Sequence, residues 1–239
     1  MIVIPTFNEA MNITELVTRI GDVVHRADHI HLLVVDDGSP DHTAAVVRRL
    51  TAEDAHWSRN LHLLERPGKL GLGTAYVAGF QWGLAWGADL LAEMDADLSH
   101  DPAHLPAMID ACQRFDVVIG SRYVPGGGVH GWGLMRKLIS KGGSGYARRV
   151  LGVSVQDMTG GYNLWRRSVL TAIDLNRIRS EGYAFQIELK YRAIKNGFRY
   201  LEVPIIFRDR TAGRSKISKS IILEAFYRVW QLRGATLRP

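Results

Sequence analysis

Cysteine is almost absent: the 239 residues contain only Cys112, so no internal disulfide can form. No cysteine–histidine cluster has the spacing of a zinc site, and the pattern fits a reducing compartment. No basic segment precedes the apolar start Met1-Ile2-Val3-Ile4-Pro5, so no secretory leader is expected. No apolar run approaches the roughly 20 residues that a membrane-crossing helix needs. A soluble protein, or one lying on a membrane without crossing it, is therefore expected. Acidic residues are missing altogether from Val117 to Gln156, where Arg122, Arg136, Lys137, Lys141, Arg148 and Arg149 stand. The net charge of +6 conceals this split: residues 1–116 hold 17 acidic and 8 basic side chains, residues 117–239 hold 7 and 22. Such asymmetry points to an anionic partner for the second half, whether phosphates, nucleic acid or a lipid headgroup surface. A merely solvated basic face is the alternative.

The rest of the composition is ordinary, with 46% apolar and 23% charged residues, and one α/β domain is the default at this length. No internal repeat, low-complexity tract or linker interrupts it. Short β-rich runs, Ile2–Ile4, His31–Val35, Leu61–Leu64, Leu90–Met94 and Val117–Ile119, alternate with helix-like stretches near 9–27, 41–51, 72–87 and 102–114. Continuous apolar strands separated by helices predict a mostly parallel sheet covered on both faces. Beyond Ile119, the loop Pro125-Gly126-Gly127-Gly128 reads as mobile. A basic helix-like stretch from Gly133 to about Leu151 carries Leu134, Leu138 and Ile139. A second amphipathic helix, near 218–233, sets Ile222, Phe226, Val229 and Trp230 against Ser220, Glu224, Arg228 and Gln231. These two helices could lie in a bilayer interface or pack on the domain.

Ligands in parallel sheets bind at the carboxyl ends of the strands, and there the chemistry-bearing residues gather. Thr6-Phe7-Asn8-Glu9 follows the first run, Asp36-Asp37-Gly38-Ser39 the second, and Asp95-Ala96-Asp97-Leu98 the fourth. An Asp-x-Asp alone can merely cap the next helix, with Pro102 in its first turn. It can also hold a hard cation such as Mg²⁺ or Mn²⁺ that shares its shell with phosphate oxygens. Three acidic strand ends on one edge exceed what capping requires.

Pro5-Thr6-Phe7-Asn8-Glu9, Asp36-Asp37-Gly38-Ser39-Pro40-Asp41, Gly71-Leu72-Gly73-Thr74-Ala75-Tyr76, Asp95-Ala96-Asp97-Leu98-Ser99-His100 and Gly120-Ser121-Arg122-Tyr123 occur in this order. Together, from Pro5 to about Lys219, they resemble the inverting glycosyltransferases of family 2 and, within them, the dolichyl-phosphate (polyprenyl-phosphate) mannose synthases. The resemblance implies a single GT-A type, Rossmann-like α/β domain over 1–239. Its nucleotide-sugar half would span about 1–120, and its acceptor and membrane-facing half about 121–239. It implies transfer of mannose from GDP-mannose to a polyprenyl phosphate with Mg²⁺ or Mn²⁺, at the cytoplasmic face of a membrane and without nucleic acid; UDP-glucose is the alternative donor. Pro5, Phe7 and Glu9 would hold the nucleotide, Val35 and Asp37 its base and ribose, and Asp95 and Ala96 the sugar nucleotide. Asp97 would ligate the metal, with Ser99 standing where some relatives place a glutamine ligand. Arg122 would bridge donor and acceptor phosphate, Arg136 and Ser140 would hold the lipid phosphate, and Arg210 and Lys216 would close over the donor diphosphate.

The chemistry agrees with this placement. A departing nucleoside diphosphate needs its charge neutralised. A phosphate acceptor is already anionic and needs no base, but it does need cationic ligands. Other residues invite structural readings: Asp36 as a turn cap or a guide for Ser39, Gly71-x-Gly73 as a strand-to-helix turn more than a phosphate cradle, His100 as a supporting residue. Asp157 and Gly160-Gly161 shape the acceptor side without an assigned role, and Gln186 and Glu188, on a helix-like stretch, read as structural or as supporting the site from behind. Phe7 replaces the family's common tyrosine, and His42 stands where glycine is usual. Membrane attachment would come from the basic helices or from a separate anchoring protein.

Overall fold

The computed structural model describes residues 1–25, 27, 29–178, 180–209 and 219–234. The strands are β1 (Ile2–Thr6), β2 (Leu32–Asp36), β3 (Leu61–Glu65), β4 (Leu90–Glu93), β5 (Val117–Ser121), β6 (Gly128–His130), β7 (Asn163–Arg166), β8 (Tyr200–Pro204) and β9 (Ile206–Arg208). The α-helices are α1 (Ala10–Val23), α2 (Thr43–Glu53), α3 (Trp57–Asn60), α4 (Leu72–Trp86), α5 (Leu105–Ala111), α6 (Leu134–Leu151), α7 (Arg167–Ala172), α8 (Gly182–Lys195) and α9 (Lys219–Gly234). The main sheet runs in the order β3-β2-β1-β4-β7-β5-β8, and β6 pairs with β9 in a small parallel ribbon.

Alternation along the strands builds two cores. Ile2, Ile4, Leu32 and Val34 point to one face, where Ile13, Leu16, Val17 and Ile20 of α1 meet Met108 of α5. Val3, Leu33 and Val35 point to the other, against Tyr76 and Phe80 of α4 and Phe185 and Leu189 of α8. Strands buried on both faces are what a parallel sheet requires. Helix α4 comes close because Gly79 and Gly83 face the sheet: a Cβ on Gly83 would lie 2.6 Å from Leu91 Cδ2, and one on Gly79 closer still to Val3.

The expected parallel strands and their intervening helices are present, the strands ending within two residues of the apolar runs. The second half holds more than expected. Strand β7 runs antiparallel between β4 and β5, separating two strands that would otherwise be neighbours. It is short and begins on Asn163, a polar residue that reads as loop until Glu93 is seen beside it. The glycine loop is also less open than its composition suggests. A Cβ on Gly127 would sit 2.5 Å from Ser121 O, so the glycines let backbone pack on backbone.

Helix α9 differs from the pattern read along the chain, while α6 takes the alternative in which its apolar residues do not pack on the domain. In α9, Val229 and Leu232 are buried while Phe226 and Trp230 are exposed; the side chain of Ile222 lies outside the described residues. In α6 the buried positions are the small Ser144 and Ala147 and the terminal Leu151, while Leu134, Met135, Leu138 and Ile139 are 49–72% exposed. Among the described residues no helix is long and apolar enough to cross a membrane.

His42, at the start of α2, has φ +68°, a left-handed conformation that a side chain strains by roughly 1–2 kcal/mol. His42→Gly should therefore raise the unfolding free energy by about 1 kcal/mol in chemical denaturation, despite removing an entire side chain.

Candidate functional site

The carboxyl ends of β1, β2 and β4 open into a cleft of about 540 Å³. Pro5, Phe7, Glu9, Asp37, Asp95, Ala96, Asp97, Arg122 and Arg136 all line it, so one site collects most of the residues singled out in the sequence. Val35 and Ser99 are buried behind its wall, and Ser140 stands outside the lining. Arg210 and Lys216 lie outside the described residues. A shallower hollow of about 640 Å³ lies at the opposite edge of the sheet, lined by Asp89, Cys112 and Arg166.

On the first wall, hydrogen bonds sort the acidic strand ends. Asp36 accepts from Thr6 Oγ1 at 2.9 Å, Ser39 N at 3.0 Å and Ser39 Oγ at 2.6 Å, and Ser39 Oγ in turn accepts from Asn8 N. Asp41 accepts from Ala10 N and Thr43, supplying the start of α1 with a cap from a neighbouring loop. These two carboxylates stitch the loops together. Asp37 reaches the cleft but is paired with Arg66, Nε 2.8 Å from Oδ1, and accepts from Leu70 N. Lys69 lies 4.7 Å over the Phe7 ring, which makes a cationic platform for a flat group.

The Asp-x-Asp segment is held from below. Tyr76 OH donates to Asp95 Oδ1 at 3.0 Å, and Asp95 N donates to His100 Nδ1 at 3.0 Å. With Nδ1 accepting, Nε2 is the ring's donor and stands 3.9 Å from Asp95 Oδ2, and the buried ring stacks on Tyr162. Leu98 takes φ +63°, a rare conformation for leucine that folds Ser99 back so that its N–H and Oγ both donate to Asp97 Oδ1. Ser99 thus orients Asp97 from within the wall. Among the described residues no three His, Cys, Asp or Glu side chains form a ready-made metal cage. A pair of oxygen-only donors at an open cleft nevertheless fits Mg²⁺ or Mn²⁺, which commonly take one or two carboxylates and leave the remaining positions to water and substrate phosphate.

The opposite wall is cationic. Arg122 is buried and bidentate to Asp157, Nε to Oδ2 and Nη2 to Oδ1 both at 2.7 Å, with Thr159 Oγ1 at 3.0 Å. Burial would raise the Asp157 pKa, but the Arg122 guanidinium and its hydrogen bonds outweigh it and hold the carboxyl at about 2. Lys190, also buried, donates to the carbonyls of Asp157 and Gly160 at 2.8 and 2.7 Å. Burial lowers its pKa and raises that of Glu93, which accepts from Asn163 Nδ2 and Trp165 Nε1. Arg136 stacks 4.1 Å from the Trp132 centroid and pairs with Asp209 at 2.8 Å. Among the described residues, Trp132 Nε1 and Arg136 Nε are buried donors without an acceptor. One turn along α6, Ser140 accepts from Tyr123 OH.

Several residues of the cleft and its walls carried little signal in the sequence. Asp157 anchors Arg122 from 35 positions away, and Trp132 sits between two arginines. Gln186, read as structural, lines the cleft; Glu188 is structural, bonded to Ser180 and Arg192.

The model of the family described as "Glycosyl transferase family 2" matches residues 1–173. The chain is 48% identical to the polyprenol monophosphomannose synthase of Mycolicibacterium smegmatis over 98% of this chain and 87% of that protein. It is 45% identical to the undecaprenyl-phosphate mannosyltransferase of Micrococcus luteus, over 95% and 90%. Its fold is similar to that of glucosyl-3-phosphoglycerate synthase from Mycobacterium tuberculosis, solved with Mn²⁺, UDP and glucosyl-3-phosphoglycerate. The TM-score is 0.68 at 19% identity, covering 98% of this chain and 79% of that one.

Asp157→Ala leaves Arg122 buried without its counter-charge and should cost about 3–5 kcal/mol in denaturant unfolding. Because the folded carboxyl lies near 2 and its ordinary value is 3.8, its stabilisation is complete above about pH 4. Acid titration of stability should show that contribution fading as pH falls toward 2 in the native chain and missing from the variant.

Proposed function

We propose that this chain, which belongs to glycosyl transferase family 2, transfers mannose from GDP-mannose to a polyprenyl monophosphate with inversion at the sugar carbon. As a family member with relatives of 45–48% identity it is a glycosyltransferase. The names of those relatives support mannose as the sugar and a polyprenyl phosphate as the acceptor. The observation that carries the acceptor half is the pair of buried, acceptor-less N–H groups, Trp132 Nε1 and Arg136 Nε, beside Arg122. Leaving such donors unsatisfied costs about 1–3 kcal/mol each, a cost that phosphate oxygens would remove.

In this reading the nucleotide lies along Pro5, Phe7, Glu9 and Asp37, its base against the Phe7–Lys69 platform and Val35 behind it. Asp97, oriented by Ser99, and Asp95 would hold Mg²⁺ or Mn²⁺, whose charge stabilises the leaving diphosphate. Arg210 and Lys216 would add positive charge on that side. Arg122, Arg136 and Ser140 bind the acceptor phosphate, which is anionic near neutral pH and attacks without a general base. The bond from the anomeric carbon to the diphosphate breaks as the bond to the acceptor oxygen forms on the opposite face. Residues 1–120 would thus serve chiefly the donor and 121–239 the acceptor.

The acceptor's tail suggests the surface on which the enzyme works. The exposed Leu134, Met135, Leu138 and Ile139 of α6 lie beside Lys137 and Lys141, and α9 adds Phe226, Tyr227 and Trp230. An apolar stripe among basic residues suits peripheral docking on an anionic, cytoplasmic-facing leaflet.

Labelled GDP-mannose incubated with polyprenyl phosphate and Mn²⁺ should yield organic-extractable mannose. EDTA should abolish that transfer, and Asp97→Ala should cut it at least about 100-fold. A preference for UDP-glucose would refute the donor. Arg136→Ala should raise the KM for lipid phosphate about tenfold or more while leaving GDP binding within about twofold. Equal loss of both would refute the acceptor assignment. Separately, Leu138→Asp should lower co-sedimentation with anionic vesicles about tenfold, as the loss of one buried leucine implies.

A further inference from the structure

Helix α4 opens onto the cleft at Gly71-Leu72-Gly73 without a side-chain cap of its own. The place is filled from 108 residues away: Gly73 N donates to Glu181 Oε2 at 3.0 Å, and a Cβ on Gly71 would lie 2.6 Å from the same oxygen. The glycine turn therefore seats a carboxylate of the protein, where a bare helix start would attract a phosphate. Further into α8, Gln186 lines the same cleft. Its Oε1 accepts from Asn163 Nδ2 at 2.9 Å, which fixes the amide. Its Nε2 gives one N–H to the buried Glu93 and stands 3.4 Å from where a Cβ on Gly161 would lie, leaving the second N–H on the glycine side. Glu181 and Gln186 thus form a rim of one oriented acceptor and one donor, beside Asp95, which Tyr76 of α4 ties down.

We propose that Glu181 and Gln186 read the hydroxyls of the donor sugar, Glu181 accepting from them and Gln186 Nε2 donating to them. This rests on the reading of the cleft as a nucleotide-sugar site and names the residues that select the sugar. The chemistry of the rim favours a polyol. A diphosphate offers only acceptors and has no proton to give Glu181, whereas each sugar hydroxyl can both donate and accept. A rim whose polar groups are fixed in advance discriminates strongly, because an epimer leaves one of them unsatisfied.

The wild-type enzyme is first assayed with GDP-mannose, GDP-glucose, UDP-glucose and UDP-galactose against polyprenyl phosphate. Transfer from a UDP-sugar alone refutes the GDP-mannose assignment and moves the epimer comparison to the UDP pair. Transfer from none of them overturns both readings. On the nucleotide used, the ratio of kcat/KM between epimers is then measured for Glu181→Gln and Gln186→Leu, together with the Kd of the free nucleoside diphosphate. The preference should fall at least about tenfold in each variant, with nucleoside diphosphate binding within about twofold of wild type. An unchanged preference, or nucleotide binding lost in parallel with turnover, overturns the proposal. Gln186→Leu leaves the α4 cap intact, so it decides the question if Glu181→Gln does not fold.

Discussion

The buried ion pair of Arg122 with Asp157 is the constraint on which the cleft depends. Two charges removed from water are tolerated only when their remaining hydrogen-bonding positions are filled. Here Asp157 accepts from Arg122 N, Nε and Nη2 and from Gly160 N, while Lys190 grips the backbone of the same loop. The end of β5 is thereby fixed to the loop that leads into β7. Strand β7 then lies between β4 and β5, and its Asn163 and Trp165 reach Glu93, two residues before Asp95. One connected set of buried polar groups therefore joins the carboxylate wall to the arginine wall. Neither wall can shift by much without breaking bonds in the other.

That set also explains how far the sequence could be read. The parallel strands and their helices were legible because apolar β-branched runs and amphipathic spacing are local signals. Strand β7 was not, since Asn163 belongs in a sheet interior only when Glu93 and Gln186 meet it, a condition set 70 and 23 residues away. For the leucines of α6 the sequence left two alternatives, packing on the domain or lying in a bilayer interface. Their spacing is that of a packed helix, but the chain supplies the small Ser144 and Ala147 as the buried side instead.

The candidate site divides along the same line. Motif order located nearly all of the cleft-lining acids and both of its described arginines. What it could not show is which carboxylates are already engaged. Asp36 and Asp41 bond to neighbouring loops, and Asp37 to Arg66, so a similar run of acidic residues contains both stitches and binding groups. Trp132 and Glu181 gave no motif at all, and Asp157 could be placed on the acceptor side but given no role, because each matters through a partner distant in the chain. His42 is the reverse case: it stands where the family usually has glycine, and the structure shows the left-handed backbone that favours one.

Electrostatics then limits what can occupy each part of the cleft. Asp95, Asp97, Glu9 and Glu181 line it together with Arg122, Arg136 and Lys69. A diphosphate about 4 Å from an uncompensated carboxylate would meet repulsion of about 4 kcal/mol per charge pair at an effective dielectric of 20. In the proposed reading a divalent cation between Asp95, Asp97 and the diphosphate would turn the two carboxylates from a barrier into an anchor. No such ion is needed at Glu181 if a neutral sugar lies there. At the far end, Arg136 is shared between Asp209 and whatever anion enters, so an acceptor phosphate must compete with a carboxylate already 2.8 Å away. In the proposed reading the same sign of charge would thus have three different consequences along one cleft, in the order cation-bridged diphosphate, neutral sugar and arginine-bound phosphate.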